Sequence, residues 1–268
     1  ADKISTVSES YAEEIKTPEF GEGLNGLLWA RSGDVRGIVN GISYKEWDAK
    51  TDNLIFENYN LRNFYQKKKI NKIELQKMLN LPVDEDVMMI GIVSRLTTQK
   101  GFNLIAEAME HLLEGGVQLV VLGTGDEEYE NLFRHYAWKY PDRVSANIYF
   151  SNELSHKIYA AVDAFLMPSQ FEPCGLSQII SMRYGTLPIV RETGGLKDTV
   201  VAYNEFTGEG TGFSFGNFNS NDMMNVIDYA KDVYYNRKDQ WKKLMKNAMK
   251  ADFSWKVSAD KYIGMYEE

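Results

Sequence analysis

The sequence predicts an α/β protein, a Rossmann-like three-layer α/β/α domain with a parallel sheet between two layers of helices. From residue 88 onward, short apolar runs alternate with segments of helical periodicity. The runs are continuously apolar, as is typical of strands buried on both faces of a parallel sheet. The predicted strands are residues 88–93, 117–122, 147–150, 164–167 and 187–190, with an edge strand at 212–215.

The segments between these runs predict helices, because their apolar residues recur at helical spacing. Leu104, Ile105 and Ala108 share one such face, and Pro141 ends the next helix. The predicted helices are residues 102–113, 126–139, 154–162, 176–184, 196–203, a segment around 223–234, 238–249 and 254–265.

The first 34 residues have a different character from the rest. Residues 4–7 predict a strand, residues 8–15 a helix capped by Ser8, and residues 17–36 a glycine-rich loop with one short helix. Because the chain does not begin with Met, we expect it to be cut from a longer protein. We interpret residues 1–34 as the remnant of another domain and 35–252 as the main domain. We expect strand 4–7, without its parent sheet, to be disordered, misplaced or packed against a neighbouring molecule.

Composition narrows the classes of function. The chain has 268 residues, a net charge of −8 and an ordinary balance of apolar and charged residues. The acidic balance argues against a nucleic-acid partner, and we interpret Lys67-Lys68-Lys69 as a solvated helix face. No apolar run approaches the roughly twenty residues of a membrane span, and the N-terminus lacks signal-peptide features. The single cysteine, Cys174, fits a reducing compartment, so we expect a cytoplasmic protein.

The most informative segment is the run PSQFEPCGL at 168–176, which follows a predicted strand and precedes a helix. Ligands of open α/β sheets bind at the carboxyl ends of the strands. A helix N-terminus there offers unpaired N–H groups to an anion. Glu172 can accept hydrogen bonds from a neutral polyol beside it. Together these features favour a sugar-nucleotide site.

A second cluster follows the first strong strand, where Arg95 and Lys100 stand five residues apart. Two cations at the carboxyl end of a strand suit a diphosphate and stabilise it as a leaving group. The alternative is a surface turn with two solvated cations.

Two glycine-containing turns complete the set. Thr193, Gly194 and Gly195 precede a predicted helix, where they either approach an anion closely or only satisfy a tight helix start. Gly123-Thr124-Gly125 imitates a dinucleotide fingerprint, but Glu128 replaces its third glycine. A strand-to-helix turn capped by Asp126 is the better interpretation of that segment. Turns 94–101, 172–176 and 193–195 on one sheet edge favour a single shared ligand site.

Neither a metal site nor a cysteine nucleophile is predicted. His111, His135 and His156 show no ligand spacing, so we interpret them as surface or packing residues. No histidine stands near Cys174 in sequence, which favours a small buried side chain over a nucleophile.

Taken in order, these motifs resemble the bacterial glycogen synthase and starch synthase family. The matching segments are GIVNGI at 37–42 with Trp47 downstream, SRLTTQKG at 94–101, FEPCGL at 171–176, TGGL at 193–196 and DFSW at 252–255. The resemblance covers the whole chain. It implies the C-terminal, donor-binding half of a two-domain GT-B transferase, with residues 1–34 ending the N-terminal domain and helix 253–268 crossing back to it.

The resemblance also implies roles for individual residues. Arg95 and Lys100 would grip the phosphates of ADP and support its departure, and Glu172 would bind glucose hydroxyls near the developing positive charge. Phe150 would lie against adenine, and Asn40 would face the interdomain cleft near the sugar. The remaining implied donor-binding residues are Cys174, Gly175, Leu176, Thr193, Gly194 and Gly195.

Two positions qualify the resemblance. Ser43 stands where the family commonly has Asp, so no role is carried onto it. Ile180 stands where a wider set of GT-B enzymes has a second acid, which agrees with this family in particular. The implied reaction moves glucose from ADP-glucose to the non-reducing end of an α-1,4-glucan. It proceeds with retention by front-face attack, through an oxocarbenium-like transition state and without metal or cofactor.

Two alternatives stay open at this point. The donor base is not legible from sequence, so a transferase using UDP-glucose would show the same motifs. A non-catalytic nucleotide-binding module is the second alternative, although intact Arg95, Lys100 and Glu172 argue against it. If the chain is the donor half, we expect it alone to bind ADP weakly and turn over little. The acceptor would then bind mostly through the missing domain.

Overall fold

A six-stranded parallel sheet forms the centre of the protein in a computed structural model that describes residues 1–268. A separate two-stranded parallel sheet joins β1 and β2. The six strands lie in the order β5-β4-β3-β6-β7-β8, so the chain reverses direction across the sheet between β3 and β6. The strands are β1 (Ile4–Thr6), β2 (Val35–Gly37), β3 (Met88–Val93), β4 (Val117–Leu122), β5 (Val144–Asn147), β6 (Ala164–Met167), β7 (Leu187–Arg191) and β8 (Phe213–Phe215).

Helices cover both faces of this sheet, which confirms the three-layer α/β/α prediction. Strands β3 and β4 are almost wholly buried, as their continuous apolar sequences require. No helix combines the length and apolar character that crossing a bilayer would require. The helices are α1 (Glu9–Glu14), α2 (Asn25–Ala30), α3 (Phe64–Met78), α4 (Phe102–Glu114), α5 (Glu127–Lys139), α6 (Asn152–Ala161), α7 (Ser177–Arg183), α8 (Gly194–Thr199), α9 (Ser220–Asn236), α10 (Lys238–Lys250) and α11 (Trp255–Glu267).

Three elements differ from the sequence prediction. The strand expected at 147–150 is β5 at Val144–Asn147, because these residues pair with β4 and the chain then leaves the sheet. The helix expected at 196–203 is α8, which ends at Thr199 because Tyr203 bonds to Gly212 instead. Helix α3 is present in the prediction only as a helix face at 67–69, without bounds. Four of its buried residues are polar, which hides the apolar periodicity.

The N-terminal segment is folded onto the main domain, so the expectation of a disordered or misplaced strand was wrong. Strand β1 pairs in parallel with β2, with Ile4 opposite Val35. Ser8 caps α1 as predicted, accepting a hydrogen bond from the N–H of Tyr11. Ser10 in turn bonds to Asp198 in α8. The error arose because β2, the local partner of the strand, was not recognised within the glycine-rich region.

The lysine run at 67–69 is helical but is not simply a solvated face. Lys68 is buried, and its ammonium group donates to the carbonyls of Tyr159 and Ala160 and to the hydroxyl of Thr186. Burial lowers the pKa of Lys68 to about 7. One turn later Lys72 is also buried, and its ammonium lies 2.7 Å from a carboxylate oxygen of Asp163.

The Lys72–Asp163 pair generates a stability prediction. Replacing Lys72 with Met keeps the length of the side chain but leaves a largely buried carboxylate without its cation. We expect the free energy of unfolding to fall by about 3 kcal/mol, measured by urea denaturation. Lys77→Met, an exposed position on the same helix, serves as the control and should change it by less than about 0.5 kcal/mol. Equal stability of the two variants would contradict the prediction.

Candidate functional site

Two of the predicted turns are in direct contact at the carboxyl edge of the sheet. The N–H of Gln170 donates to the carbonyl of Gln99 at 2.9 Å, which joins the turn after β3 to the loop after β6. Gly101 has a φ of +80°, and a Cβ there would lie 2.0 Å from the carbonyl oxygen of Pro168. Only glycine lets these two backbone segments approach so closely.

The same contact brings Lys100 and Glu172 together. The ammonium nitrogen of Lys100 lies 2.5 Å from Oε2 of Glu172, to which the hydroxyl of Ser169 also donates at 3.2 Å. The Glu172 side chain is only 9% exposed, so solvent screens this ion pair weakly. Both residues line one pocket, together with Gly175 and Leu176. The turns after β3 and β6 therefore line one pocket, and binding of a ligand there stays a prediction.

A second pocket of about 270 Å³ adjoins the first, and Val93 and Ser94 line both. Arg95, Phe150 and the Gly123-Thr124 turn lie on its walls. Phe150 is 89% exposed, an unusual position for a phenylalanine without a partner. The Arg95 side chain is exposed and makes no ion pair or hydrogen bond within the chain. A ligand with an aromatic group and an anionic group can bridge the two pockets.

The loop between Glu172 and α7 is shaped by a glutamine that sequence reasoning missed. The side-chain amide nitrogen of Gln178 donates to the carbonyls of Cys174 and Gly175 and to the hydroxyl of Thr199. Gln178 is fully buried. The N–H groups of Gly175 and Leu176 make no hydrogen bond within the chain. A polar residue on the apolar face of the predicted helix was the only signal for this role.

The turn at 193–195 lies beside the loop that carries Glu172, but the N–H groups of Gly194 and Gly195 already have hydrogen-bond partners within the chain. The N–H of Gly195 donates to the carbonyl of Glu172 at 3.0 Å. The N–H of Gly194 donates to Oε1 of Glu14 at 2.8 Å, and the hydroxyl of Thr193 to the same oxygen at 3.0 Å. Here the turn supports the Glu172 loop, and a direct contact of its amides with a ligand stays a prediction.

Cys174 is buried beside Asn40. Burial raises the pKa of the Cys174 thiol, and the N–H of Asn40, which bonds to the sulfur, opposes that shift. The thiol is therefore protonated near neutral pH, which argues against a nucleophilic role. This contact places Asn40 beside the loop that carries Glu172, and a role for Asn40 near the sugar stays a prediction.

A buried His–Asp pair looks catalytic but lies inside the fold. Nδ1 of His156 donates to Asp52 at 2.7 Å, the hydroxyl of Tyr184 donates to the same oxygen, and Trp47 stacks on the imidazole. Burial alone would raise the pKa of Asp52, but the hydrogen bonds from His156 and Tyr184 outweigh it and lower the pKa. All three polar residues are at least 95% buried. The pair therefore belongs to the packed interior, in agreement with the interpretation of His156 as a packing residue.

The environment of Cys174 generates a second prediction. Alkylation of the folded chain by iodoacetamide should be slow at pH 7, because the thiolate fraction is small and access is restricted. The rate of alkylation should keep rising at pH values well above those at which an ordinary thiol is fully ionised. The control is the same chain in urea, whose thiol should titrate with an ordinary pKa near about 8.5. Identical pH profiles for folded and unfolded chain would contradict it.

Comparisons with known proteins identify the family of the chain. The family model described as glycosyl transferases group 1 matches residues 74–248, and the model described as starch synthase catalytic domain matches residues 1–30. Glycogen synthases of Lachnospira eligens and Clostridium acetobutylicum are 62% and 59% identical over 99% of the chain. The chain covers 56% of each, so it spans about half the length of these relatives.

A solved structure of a starch synthase also resembles this chain over its whole length. The catalytic domain of starch synthase IV from Arabidopsis thaliana, bound to ADP and acarbose, superposes on the whole chain with a TM-score of 0.93 and 35% identity. The chain covers 55% of that protein. The match to the group 1 model extends from α3 to α10 and includes the whole six-stranded sheet with its three turns. The chain therefore belongs to the glycosyl transferases of group 1.

Proposed function

We propose that this chain is the C-terminal, donor-binding half of a glycogen or starch synthase. The proposed reaction transfers glucose from ADP-glucose to the non-reducing end of an α-1,4-glucan, with retention. The observation that carries the proposal is the Lys100–Glu172 contact at the switch point of the sheet, with Arg95 and Phe150 on the adjoining pocket. High identity to glycogen synthases over the whole chain supports it.

The cations would act on the diphosphate of the donor. Arg95 has no partner within the chain, and Lys100 bonds only to Glu172. A guanidinium and an ammonium that approach the diphosphate would stabilise the negative charge that grows on it as the glycosidic bond breaks. The departing phosphate can accept the proton of the attacking hydroxyl, so no second acid is required at this edge.

Glu172 would act on the sugar. Its carboxylate only accepts hydrogen bonds when ionised, which suits the hydroxyls of a neutral glucose. Its negative charge also favours the positive charge that develops at the anomeric carbon. The free N–H groups of Gly175 and Leu176 lie in the same pocket and are the best candidates for further polar contacts.

The base of the donor would occupy the second pocket. Phe150 and Tyr149 expose their rings there, and aromatic faces stack well on nucleobases. The starch synthase IV domain, which was solved with ADP, supports an adenine nucleotide. The same structure contains acarbose, which supports a glucan as acceptor. The unpaired cysteine fits a reducing compartment, and we propose the cytoplasm.

Substitution of the two cations tests the mechanism. In the full-length natural protein that contains this sequence, Arg95→Ala and Lys100→Ala should each lower kcat/KM for ADP-glucose by about 10²- to 10³-fold, because each removes a positive charge from the leaving group. Glu172→Gln should lower kcat similarly. Lys246→Ala is the control, since this exposed lysine on α10 has no ion pair. Full activity of Arg95→Ala and Lys100→Ala together would contradict the proposal.

Nucleotide binding separates this proposal from the two alternatives. Calorimetric titration with ADP, UDP and NAD should give the tightest binding for ADP, weakened about tenfold or more by Arg95→Ala. Preference for UDP would favour a UDP-glucose transferase. ADP binding by a full-length protein that transfers no glucose would favour a non-catalytic module. The 268-residue chain alone should bind ADP weakly and transfer little glucose.

A further inference from the structure

A carboxylate from the N-terminal segment contacts the turn after β7, beside the candidate site. Oε1 of Glu14, the last residue of α1, accepts one hydrogen bond from the N–H of Gly194 and one from the hydroxyl of Thr193. Helix α1 thus holds the turn after β7 by a single charged oxygen. Hydrogen bonds to an ionised acceptor are about twice as strong as neutral ones.

The contact continues from this turn to Glu172. The next residue, Gly195, donates its N–H to the carbonyl of Glu172 at 3.0 Å. A Cβ on Gly194 would lie 2.1 Å from that carbonyl oxygen, so the two backbones are pressed together. The hydroxyl of Ser8 donates to the next carbonyl along the chain, that of Pro173, at 2.6 Å. Helix α1 and its cap therefore hold the two successive carbonyl groups that follow the Glu172 side chain.

The surroundings of the other carboxylate oxygen of Glu14, Oε2, indicate that this residue does not serve mainly to stabilise the fold. Oε2 is buried and has no hydrogen-bond partner within the chain. A buried polar atom without a partner destabilises the fold, so a neutral residue would serve a purely structural helix end at least as well. Burial lowers the pKa of the nearby Arg191 guanidinium, and the charge of Glu14 opposes that shift without a hydrogen bond between the two side chains.

We propose that Glu14 is a positioning residue that fixes the Thr193–Gly195 turn and, through it, the orientation of the Glu172 carboxylate toward the sugar. This inference rests on the proposed glucosyl transfer. Glu14 touches neither sugar nor phosphate in this scheme. Its effect therefore falls on the chemical step and leaves binding of the nucleoside diphosphate unchanged.

A competing interpretation makes the opposite prediction. The Glu14 carboxylate accepts from an amide and a hydroxyl, as a phosphate would, so it could instead occupy an anion position that the donor must clear. Removing it would then tighten the binding of ADP. The sign of the change in ADP affinity separates the two interpretations.

The test compares three variants of the full-length natural protein. Glu14→Ala should lower kcat for glucosyl transfer by roughly 10- to 100-fold, the effect of a misplaced group. Its dissociation constant for ADP should stay within about twofold. Glu14→Gln keeps a neutral acceptor for Gly194 and should recover kcat to within roughly fivefold of the unsubstituted protein. Glu13→Ala is the matched control, because Glu13 is the exposed neighbour that pairs only with Lys16.

Several other outcomes decide against the proposal. Unchanged kcat in Glu14→Ala overturns it, as does tighter ADP binding. Parallel losses of kcat, ADP affinity and melting temperature, without rescue by Glu14→Gln, indicate a structural role only. If Glu14→Ala does not fold, Glu14→Gln decides: normal kcat at pH 7 with normal ADP affinity supports an acceptor role, and lost ADP affinity overturns it. If the unsubstituted protein transfers no glucose, the proposed function is refuted, and not the role of Glu14. The effect of Arg95→Ala on ADP binding tests the proposed function independently.

Discussion

The close approach of three backbone turns at the carboxyl edge of the sheet is the constraint on which the site depends. Two main-chain hydrogen bonds, Gln170 to Gln99 and Gly195 to Glu172, join the turns after β3, β6 and β7. A parallel sheet delivers its strand ends to one edge, but it does not by itself bring loops into contact. Glycines at 101, 194 and 195 remove the side chains that would keep the loops apart.

Polar side chains that do not line the pockets hold this arrangement in place. Gln178 fixes the loop at Cys174 and Gly175, and Glu14 fixes the turn at Gly194. At the opposite end of the sheet, Lys72 pairs with Asp163 ahead of β6. Buried polar groups of this kind specify one arrangement only when their partners are present. The strand that carries the Glu172 loop is therefore constrained at both ends.

Most of the sheet could be predicted from sequence, because β3, β4, β6 and β7 are apolar runs that periodicity detects. Parallel topology also predicts that the turns with Arg95, Lys100 and Glu172 lie at one edge, where Lys100 and Glu172 share a pocket and Arg95 lines the adjoining one. What failed were features that depend on tertiary partners. Helix α3 buries lysines and amides that look exposed in sequence. Glu14 lies 180 residues from the turn that it contacts, and no local pattern announces such a pairing.

The pairing of Lys100 with Glu172 has a consequence for the encounter with an anionic ligand. Because these charges cancel, Arg95 is the unpaired cation of the site, on a chain whose net charge is −8. An approaching polyphosphate is therefore repelled at long range and attracted only within the site. Added salt screens the repulsion over distances beyond the Debye length of about 8 Å. Moderate ionic strength should thus speed capture by this molecule, whereas it slows capture by proteins with strongly basic clefts.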